Sequence, residues 1–138
     1  MPAHVFAYGT LMSADIMQAA CGGLPASLPA RLADFSRHPV TGEDYPGIRH
    51  NTGHAVRGLL YLHVPSPQLE RLDLFEGAQY AREEVEVTLD DDRTQAAWAY
   101  VFKSALGHLL QAGEWDFESF LAAGHHRFRT RYAGFRAD

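Results

Sequence analysis

The pattern of apolar and polar residues predicts several strands and few helices. Residues 3–8 form an apolar run that predicts a first strand, and residues 56–64 form a longer run that favours a strand covered on both faces. Residues 83–89 alternate between polar and apolar positions with the period of two that is typical of a strand. The polar cluster 90–94 separates them from another strand at 95–103, which predicts a hairpin.

The predicted helices are short and lie between or after these strands. Residues 13–21 predict a helix that Gly22 ends, and a second helix opens at Pro65-Ser66-Pro67 and ends at Glu76. Near the C-terminus, apolar residues recur at three- and four-residue steps along a helix from about Asp116, and this stripe predicts core packing. Its members are Phe117, Phe120, Leu121, Gly124, Phe128 and Tyr132. Strands with segregated helices predict an α+β domain with a mainly antiparallel or mixed sheet.

The segment 38–53 is rich in Pro, Gly, Asp, Asn and Thr, and it predicts the long loop of the chain. The residues before it, 31–37, have mixed strand character. A long connection inside a compact domain is often functional, so Tyr45-Pro46-Gly47 is a candidate pocket wall. A plain surface loop fits the same composition equally well.

Composition narrows the class of protein. A chain of 138 residues with 46% hydrophobic and 21% charged residues predicts one globular domain spanning residues 1–138. The lone Cys21 and the absence of a secretory pattern at the start favour the cytoplasm, and no apolar run approaches the length of a membrane span. A net charge of −5 argues against nucleic acid as a partner. The basic residues near the C-terminus predict a solvated helix face: Arg127, Arg129, Arg131 and Arg136.

A Tyr8-Gly9-Thr10-Leu11 turn follows the first predicted strand. Gly9 permits a positive φ or a close approach to a ligand, and Ser13 is a candidate N-cap for the next helix. Exposed backbone N–H groups in such a loop can bind a carboxylate or an oxyanion. An ordinary strand-to-helix turn is the alternative interpretation.

Glu76 is the candidate acid or base. On a helix it shares a face with Leu69 and Leu72, which predicts that its side chain points inward. Gly77 follows directly and would end the helix, so Glu76 lies at the negative end of the helix dipole. Burial and dipole both raise the pKa of a carboxyl group, as a general acid or base near neutral pH requires.

The alternative for Glu76 is a surface residue at a helix end, paired with Arg82 or Arg71. Its neighbours on the same helix, Asp73 and Glu70, are expected to be solvated.

Four motifs in order resemble one known family. They are Tyr-Gly-Thr-Leu at 8–11, Tyr-Pro-Gly-Ile at 45–48, Val-Arg-Gly-Leu-Leu-Tyr at 56–61 and Leu-Asp-Leu-Phe-Glu-Gly-Ala-Gln-Tyr-Ala-Arg at 72–82. Together they are similar to the γ-glutamylcyclotransferase superfamily, AIG2-like branch, over residues 3–103. The resemblance implies a small closed or nearly closed β-barrel, mixed or antiparallel, with short flanking helices.

The resemblance also implies a reaction. The α-amine of a γ-glutamyl group attacks its own γ-carbonyl, which closes 5-oxoproline and releases an amine, with no cofactor. Glu76 matches the family's catalytic glutamate and would move the protons. Backbone N–H groups around Gly9, Thr10 and Leu11 would bind the substrate's carboxylate or the oxyanion. Glutathione, γ-glutamyl amino acids, γ-glutamyl-ε-lysine and other γ-glutamylated metabolites all fit as the small-molecule partner.

Three tyrosines and an arginine complete the candidate substrate site. Tyr8, Tyr45 and Tyr80 carry possible orienting hydroxyls, or are packed aromatic residues with satisfied O–H groups. Arg82 would hold a carboxylate, or only anchor Glu76. A non-catalytic module that binds a small molecule or a peptide end in the same pocket is the alternative function.

The sequence lacks the motifs typical of metal binding, of a serine or cysteine nucleophile and of nucleotide binding. The eight histidines include no His-Glu-x-x-His spacing, so no metal site is expected. No serine lies in a Gly-x-Ser-x-Gly elbow, and Cys21 has no basic neighbour in sequence that would lower its pKa. The glycines form no phosphate loop or dinucleotide fingerprint, so no nucleotide is expected.

Overall fold

Five strands form a closed barrel in the computed structural model, which describes residues 3–124. The strands are β1 (Ala3–Ala7), β2 (Ser27–Pro39), β3 (Pro46–Val64), β4 (Tyr80–Leu89) and β5 (Thr94–Phe102). Around the barrel the order is β1, β3, β2, β4 and β5, with β5 parallel to β1 and every other pairing antiparallel. The predicted α+β class with a small mixed barrel is confirmed.

Short helices flank the barrel. They are α1 (Ala14–Cys21), α2 (Ser66–Glu76) and α3 (Phe117–Ser119), with 3₁₀ turns at Thr10–Met12 and Ser104–Leu109 and a π-helical turn at Phe120–Gly124. The helices α1 and α2 pack against each other. Buried residues on α1, such as Ile16 and Met17, join Leu69 and Leu72 of α2 in one apolar cluster. The apolar face of each helix therefore covers the outside of the barrel.

Burial on both faces of β1 accounts for the apolar run Val5-Phe6-Ala7. Phe6 belongs to the cluster to which all five strands contribute, which fills the barrel interior, whereas Val5 and Ala7 belong to the cluster beneath the helices. Because successive side chains of a strand point to opposite faces, β1 is buried on both faces. The same holds for Leu60 and Tyr61 near the C-terminal end of β3, as the sequence predicted.

The prediction of a long loop over residues 38–53 is wrong, because most of these residues belong to strands. The strands β2 and β3 form a ladder through His38↔Gly47 and Pro39↔Pro46, which leaves only residues 40–45 as a connection. A Cβ added to Gly47 would lie 2.8 Å from the Phe102 ring, so this glycine serves close packing and not a turn. Strand pairing overrides local composition here, because the partner strand supplies the hydrogen bonds.

The hairpin of β4 and β5 is confirmed, with Thr88 paired to Thr94 across the turn. The last predicted helix begins where expected, since the Asp116 carboxylate accepts a 3.1 Å hydrogen bond from the Ser119 N–H. Of its apolar stripe, Phe120 is buried, whereas Leu121 is 41% exposed and is not a core residue. Phe128 and Tyr132 lie outside the described residues, as do the four C-terminal arginines.

Within residues 3–124, the helices are too short or too polar to cross a membrane.

Candidate active site

The loop after β1 turns tightly before α1. The Met12 N–H donates to the Gly9 carbonyl at 3.0 Å and the Ser13 N–H donates to the Thr10 carbonyl at 3.0 Å, which closes the 3₁₀ turn. Ser13 then occupies the N-cap position of α1, as predicted. The first N–H groups of a helical turn have no carbonyl partner within that turn. The loop therefore offers backbone donors beside the barrel.

Gly9 is needed for a close contact and not for a positive φ. The sequence predicted either a positive φ or a close approach to a ligand at Gly9. Its φ is −128°, so the prediction of a positive φ is wrong. A Cβ at this position would lie 2.8 Å from Cγ of Pro46, closer than such atoms approach in proteins. The close approach is therefore to the chain itself, at the start of β3.

Two adjoining cavities lie at this loop. The smaller has a volume of about 20 Å³ and the larger about 220 Å³. The residues that line both are Thr10, Tyr45, Glu76 and Tyr80, and we call the pair the Glu76 cavity. The smaller part is also lined by Phe6, Ala7, Tyr8, Gly9, Leu11, Pro46 and Tyr100, and the larger part by Phe75, Gly77, Ala78 and Gln79. All predicted site residues except Arg82 thus meet at one place.

Glu76 is the last residue of α2, and Gly77 follows it as predicted. Leu69 and Leu72 on the same helix are buried, which turns this face of α2 towards the barrel. The residue as a whole is partly exposed because it lines the cavity, but desolvation of its carboxyl group raises the pKa to about 8. Burial alone accounts for the shift.

Neither arginine suggested as a partner for Glu76 pairs with it. Arg82 Nε lies 3.1 Å from Oδ1 of Asp73, and Arg71 Nε lies 3.5 Å from the Ala20 carbonyl oxygen. Among the ion pairs of residues 3–124, none includes Glu76. The interpretation of Glu76 as an ion-paired surface residue is therefore wrong.

The tyrosine hydroxyls of the cavity donate to protein acceptors. Tyr45 donates to Oε1 of Gln79 and Tyr80 donates to the Pro46 carbonyl, both at 2.6 Å. A phenol has one proton to donate, so each of these hydroxyls can only accept a hydrogen bond from a ligand. Tyr45 and Tyr80 are therefore packed aromatic residues whose O–H groups already have acceptors, which was the alternative interpretation. Both residues still line the cavity.

The model of one family, described as gamma-glutamyl cyclotransferase, AIG2-like, matches residues 5–117. This match covers most of the chain, including the loop after β1 and Glu76. The chain belongs to the AIG2-like family.

Relatives and solved structures agree with this membership. AIG2-like protein D of Arabidopsis thaliana is 34% identical over 116 residues, which are 83% of this chain and 76% of that protein. A solution structure of an Arabidopsis thaliana protein has a TM-score of 0.74 at 25% identity and covers 97% of this chain and 81% of its own. A structure named gamma-glutamyl cyclotransferase has a TM-score of 0.68 at 20% identity, covering 75% and 68%, and this likeness concerns the fold alone.

Tyr100 also lines the Glu76 cavity of this AIG2-like protein, although no sequence motif predicted it. Its hydroxyl donates to Oδ1 of Asp73 at 2.7 Å, and its carbonyl accepts the Tyr8 hydroxyl at 2.6 Å. Burial, the Asp73 carboxylate and the charge of Glu76 all raise the pKa of Tyr100. The position lies within a strand whose alternation looks ordinary, so only the folded barrel reveals it.

Arg82 and Asp73 differ from their predicted roles. Arg82 does not line the Glu76 cavity, and its guanidinium carbon lies 4.6 Å from the centre of the Trp98 ring. Asp73 was expected to be solvated, but it accepts from Tyr100 and pairs with Arg82. Together they join α2 to β4 and β5 one helical turn before Glu76.

Within the described part of this AIG2-like chain, no group of three or more His, Cys, Asp or Glu side chains could hold a metal ion.

Proposed function

We propose that this protein converts the γ-glutamyl group of a small γ-glutamyl amine or peptide into 5-oxoproline and releases the amine. The observation that carries the proposal is Glu76, a desolvated carboxyl group with a pKa of about 8 in a cavity beside the backbone of Gly9 and Thr10. A group with this pKa exchanges protons readily near neutral pH. Membership of the γ-glutamyl cyclotransferase family supports the same reaction.

The proton transfers balance with one carboxylate. Ionised Glu76 takes a proton from the substrate's α-ammonium, and the free amine forms a C–N bond to the γ-carbonyl carbon. Glu76 returns this proton to the leaving nitrogen, and the C–N bond to that nitrogen breaks as the tetrahedral intermediate collapses. The new ring nitrogen still carries one extra proton, which Glu76 accepts and passes to the released amine, so the amine leaves as an ammonium ion. The carboxylate ends in its starting state, and the scheme needs no cofactor.

Positioning supplies the remaining rate enhancement. Nucleophile and electrophile belong to one molecule, and well-oriented intramolecular reactions reach effective molarities of about 10⁵ M or more. The γ-glutamyl chain must fold back on itself to react, and the narrow cavity between Tyr45, Tyr80 and Glu76 favours such a compact conformation. Backbone N–H groups around Gly9, Thr10 and Leu11 would stabilise the oxyanion or bind the α-carboxylate.

Release of 5-oxoproline tests the proposal. The purified protein is incubated with a panel of γ-glutamyl amines, γ-glutamyl amino acids and glutathione, and the product is measured by mass spectrometry. Glu76→Gln keeps the shape of the side chain but cannot move the proton, so we expect its product release to fall to background. Glu70→Gln is the matched control, because Glu70 is exposed on the same helix. It should retain the wild-type rate.

Two results would count against the proposal. Equal product release by wild type and Glu76→Gln would remove Glu76 from the mechanism. A folded wild type that releases no 5-oxoproline from any compound, yet binds one of them, would favour the non-catalytic binding module.

A further inference from the structure

Arg37 of β2 contacts the loop after β1 from outside the cavity. Its Nη1 donates a 2.8 Å hydrogen bond to the main-chain carbonyl of Tyr8 and a 3.3 Å bond to that of Arg57. Its side chain is only 12% exposed. Arg37 does not line the Glu76 cavity, whereas Tyr8 and Gly9 do. The Tyr8 carbonyl is therefore bonded to a side chain that lies outside the cavity.

The direction of that carbonyl determines the direction of the next N–H. The peptide bond between Tyr8 and Gly9 is planar and trans, so its C=O and its N–H point in opposite directions. We propose that Arg37 is a positioning residue that orients this peptide so that the Gly9 N–H faces the cavity and donates to an anionic group of the ligand. This inference rests on the proposed function and adds a residue to it.

The remaining donors of the same guanidinium anchor it to the segment after β5. Nη2 of Arg37 donates to Oε1 of Glu114 at 2.9 Å, and Nε donates to the same atom at 3.3 Å. The guanidinium carbon lies 5.5 Å from the centre of the Trp115 ring, and Trp115 Nε1 donates to the Asp44 carbonyl at 3.0 Å. These contacts fix the plane of the guanidinium, which directs Nη1 to the Tyr8 carbonyl.

Arg37 also places a positive charge close to the loop after β1. Burial and the charge of Glu76 raise the pKa of Tyr8, and the charge of Arg37 opposes that rise. The guanidinium therefore acts electrostatically on residues of the cavity wall. The Arg37 guanidinium polarises the Tyr8 carbonyl to which it donates, and this makes the Gly9 N–H of the same peptide a stronger donor. The peptide then favours an anion on its N–H side.

The test compares Arg37→Met, Arg37→Lys, Glu114→Gln and the double variant Arg37→Lys/Glu114→Gln. Arg37→Met should lower kcat/KM for 5-oxoproline release by about 10- to 100-fold. This is less than the roughly 10²- to 10³-fold cost of removing an oxyanion donor, because the Gly9 N–H remains and loses only its fixed direction. Glu114→Gln should change it by less than about fivefold, because the Glu114 end of the pair is exposed.

The double variant separates positioning from a merely structural ion pair. In Arg37→Lys, a single ammonium must choose between the Glu114 carboxylate and the Tyr8 carbonyl, and the carboxylate attracts it more strongly. Removing the carboxylate frees the ammonium for the carbonyl, so kcat/KM of the double variant should exceed that of Arg37→Lys. A structural ion pair predicts the reverse order, which would overturn the inference, as would a folded Arg37→Met with wild-type kcat/KM.

The inference about Arg37 can also be tested by structure determination, independently of any 5-oxoproline release. If wild type releases no 5-oxoproline, crystal structures of wild type and a folded Arg37 variant show the peptide directly. We expect the Tyr8 carbonyl to turn or to lose a single orientation in Arg37→Met, or in Arg37→Lys if the Met variant does not fold. An unchanged carbonyl direction in the variant would overturn this inference alone.

Discussion

The Tyr8 hydroxyl donates a 2.6 Å hydrogen bond to the main-chain carbonyl of Tyr100, which joins the end of β1 to β5 beside Glu76. The same hydroxyl accepts a hydrogen bond from the Ile48 N–H of β3. One buried phenol thus connects three strands at the base of the cavity. These bonds link wall residues of the cavity to one another.

Removal of this hydroxyl should destabilise the barrel. In Tyr8→Phe, the Tyr100 carbonyl and the Ile48 N–H both lose a partner in a buried setting, so we expect the free energy of unfolding to fall by about 1–3 kcal/mol. Denaturant unfolding measures the change. Tyr45→Phe is the matched control, since that hydroxyl bonds a side-chain amide at a partly buried site and its loss should cost less. Equal costs would contradict the special role of Tyr8.

The rate of 5-oxoproline release should depend on the ionisation of Glu76. As the proposed general base, Glu76 must be ionised to accept a proton, and desolvation raises its pKa to about 8. We therefore expect kcat/KM to rise with pH and to level off above an apparent pKa of about 8. Initial rates measured across this range give the profile. A profile that is already flat at pH 6 would show that Glu76 has an ordinary carboxyl pKa.

Stability should depend on pH in the opposite direction. The pKa of Glu76 is raised from 4.5 to about 8 on folding, so the folded state holds a proton that the unfolded state has released. The stability contribution is fully present below pH 4.5 and is lost as the pH rises towards 8. Glu76→Gln has no charge to bury, so it should be more stable than wild type at pH 8 and similar to it at pH 4. Thermal melting at both pH values measures the difference, and an equal difference at both would contradict burial of the carboxyl group.

Gly9 should not tolerate a side chain. A Cβ at Gly9 would meet Pro46 at 2.8 Å, so Gly9→Ala must shift either the loop or the start of β3, at a cost of about 1–3 kcal/mol. Product release should fall with it, because the shift moves the backbone donors. Gly107→Ala is the control, since a Cβ there meets nothing within 4 Å. A Gly9→Ala variant as stable and active as Gly107→Ala would show that the contact with Pro46 is unimportant.

The sequence predicted those parts of the molecule that depend on local periodicity. The apolar run of β1, the hairpin of β4 and β5, and the helix that ends at Glu76 each follow from residues close together in the chain. Because Leu69, Leu72 and Glu76 share one helical face, their spacing alone predicted that the carboxyl group points inward. The raised pKa of Glu76 follows from that burial.

The tertiary structure decided what depends on partners far apart in the chain. Residues 46–53 became strand because β2 supplies a ladder, although their composition is typical of a loop. Tyr100 lines the cavity and Arg82 does not, because barrel closure places β5 between β1 and β4. Local sequence encodes which face of an element is apolar, but the identity of the residue across a contact is fixed only when the strands close into a barrel.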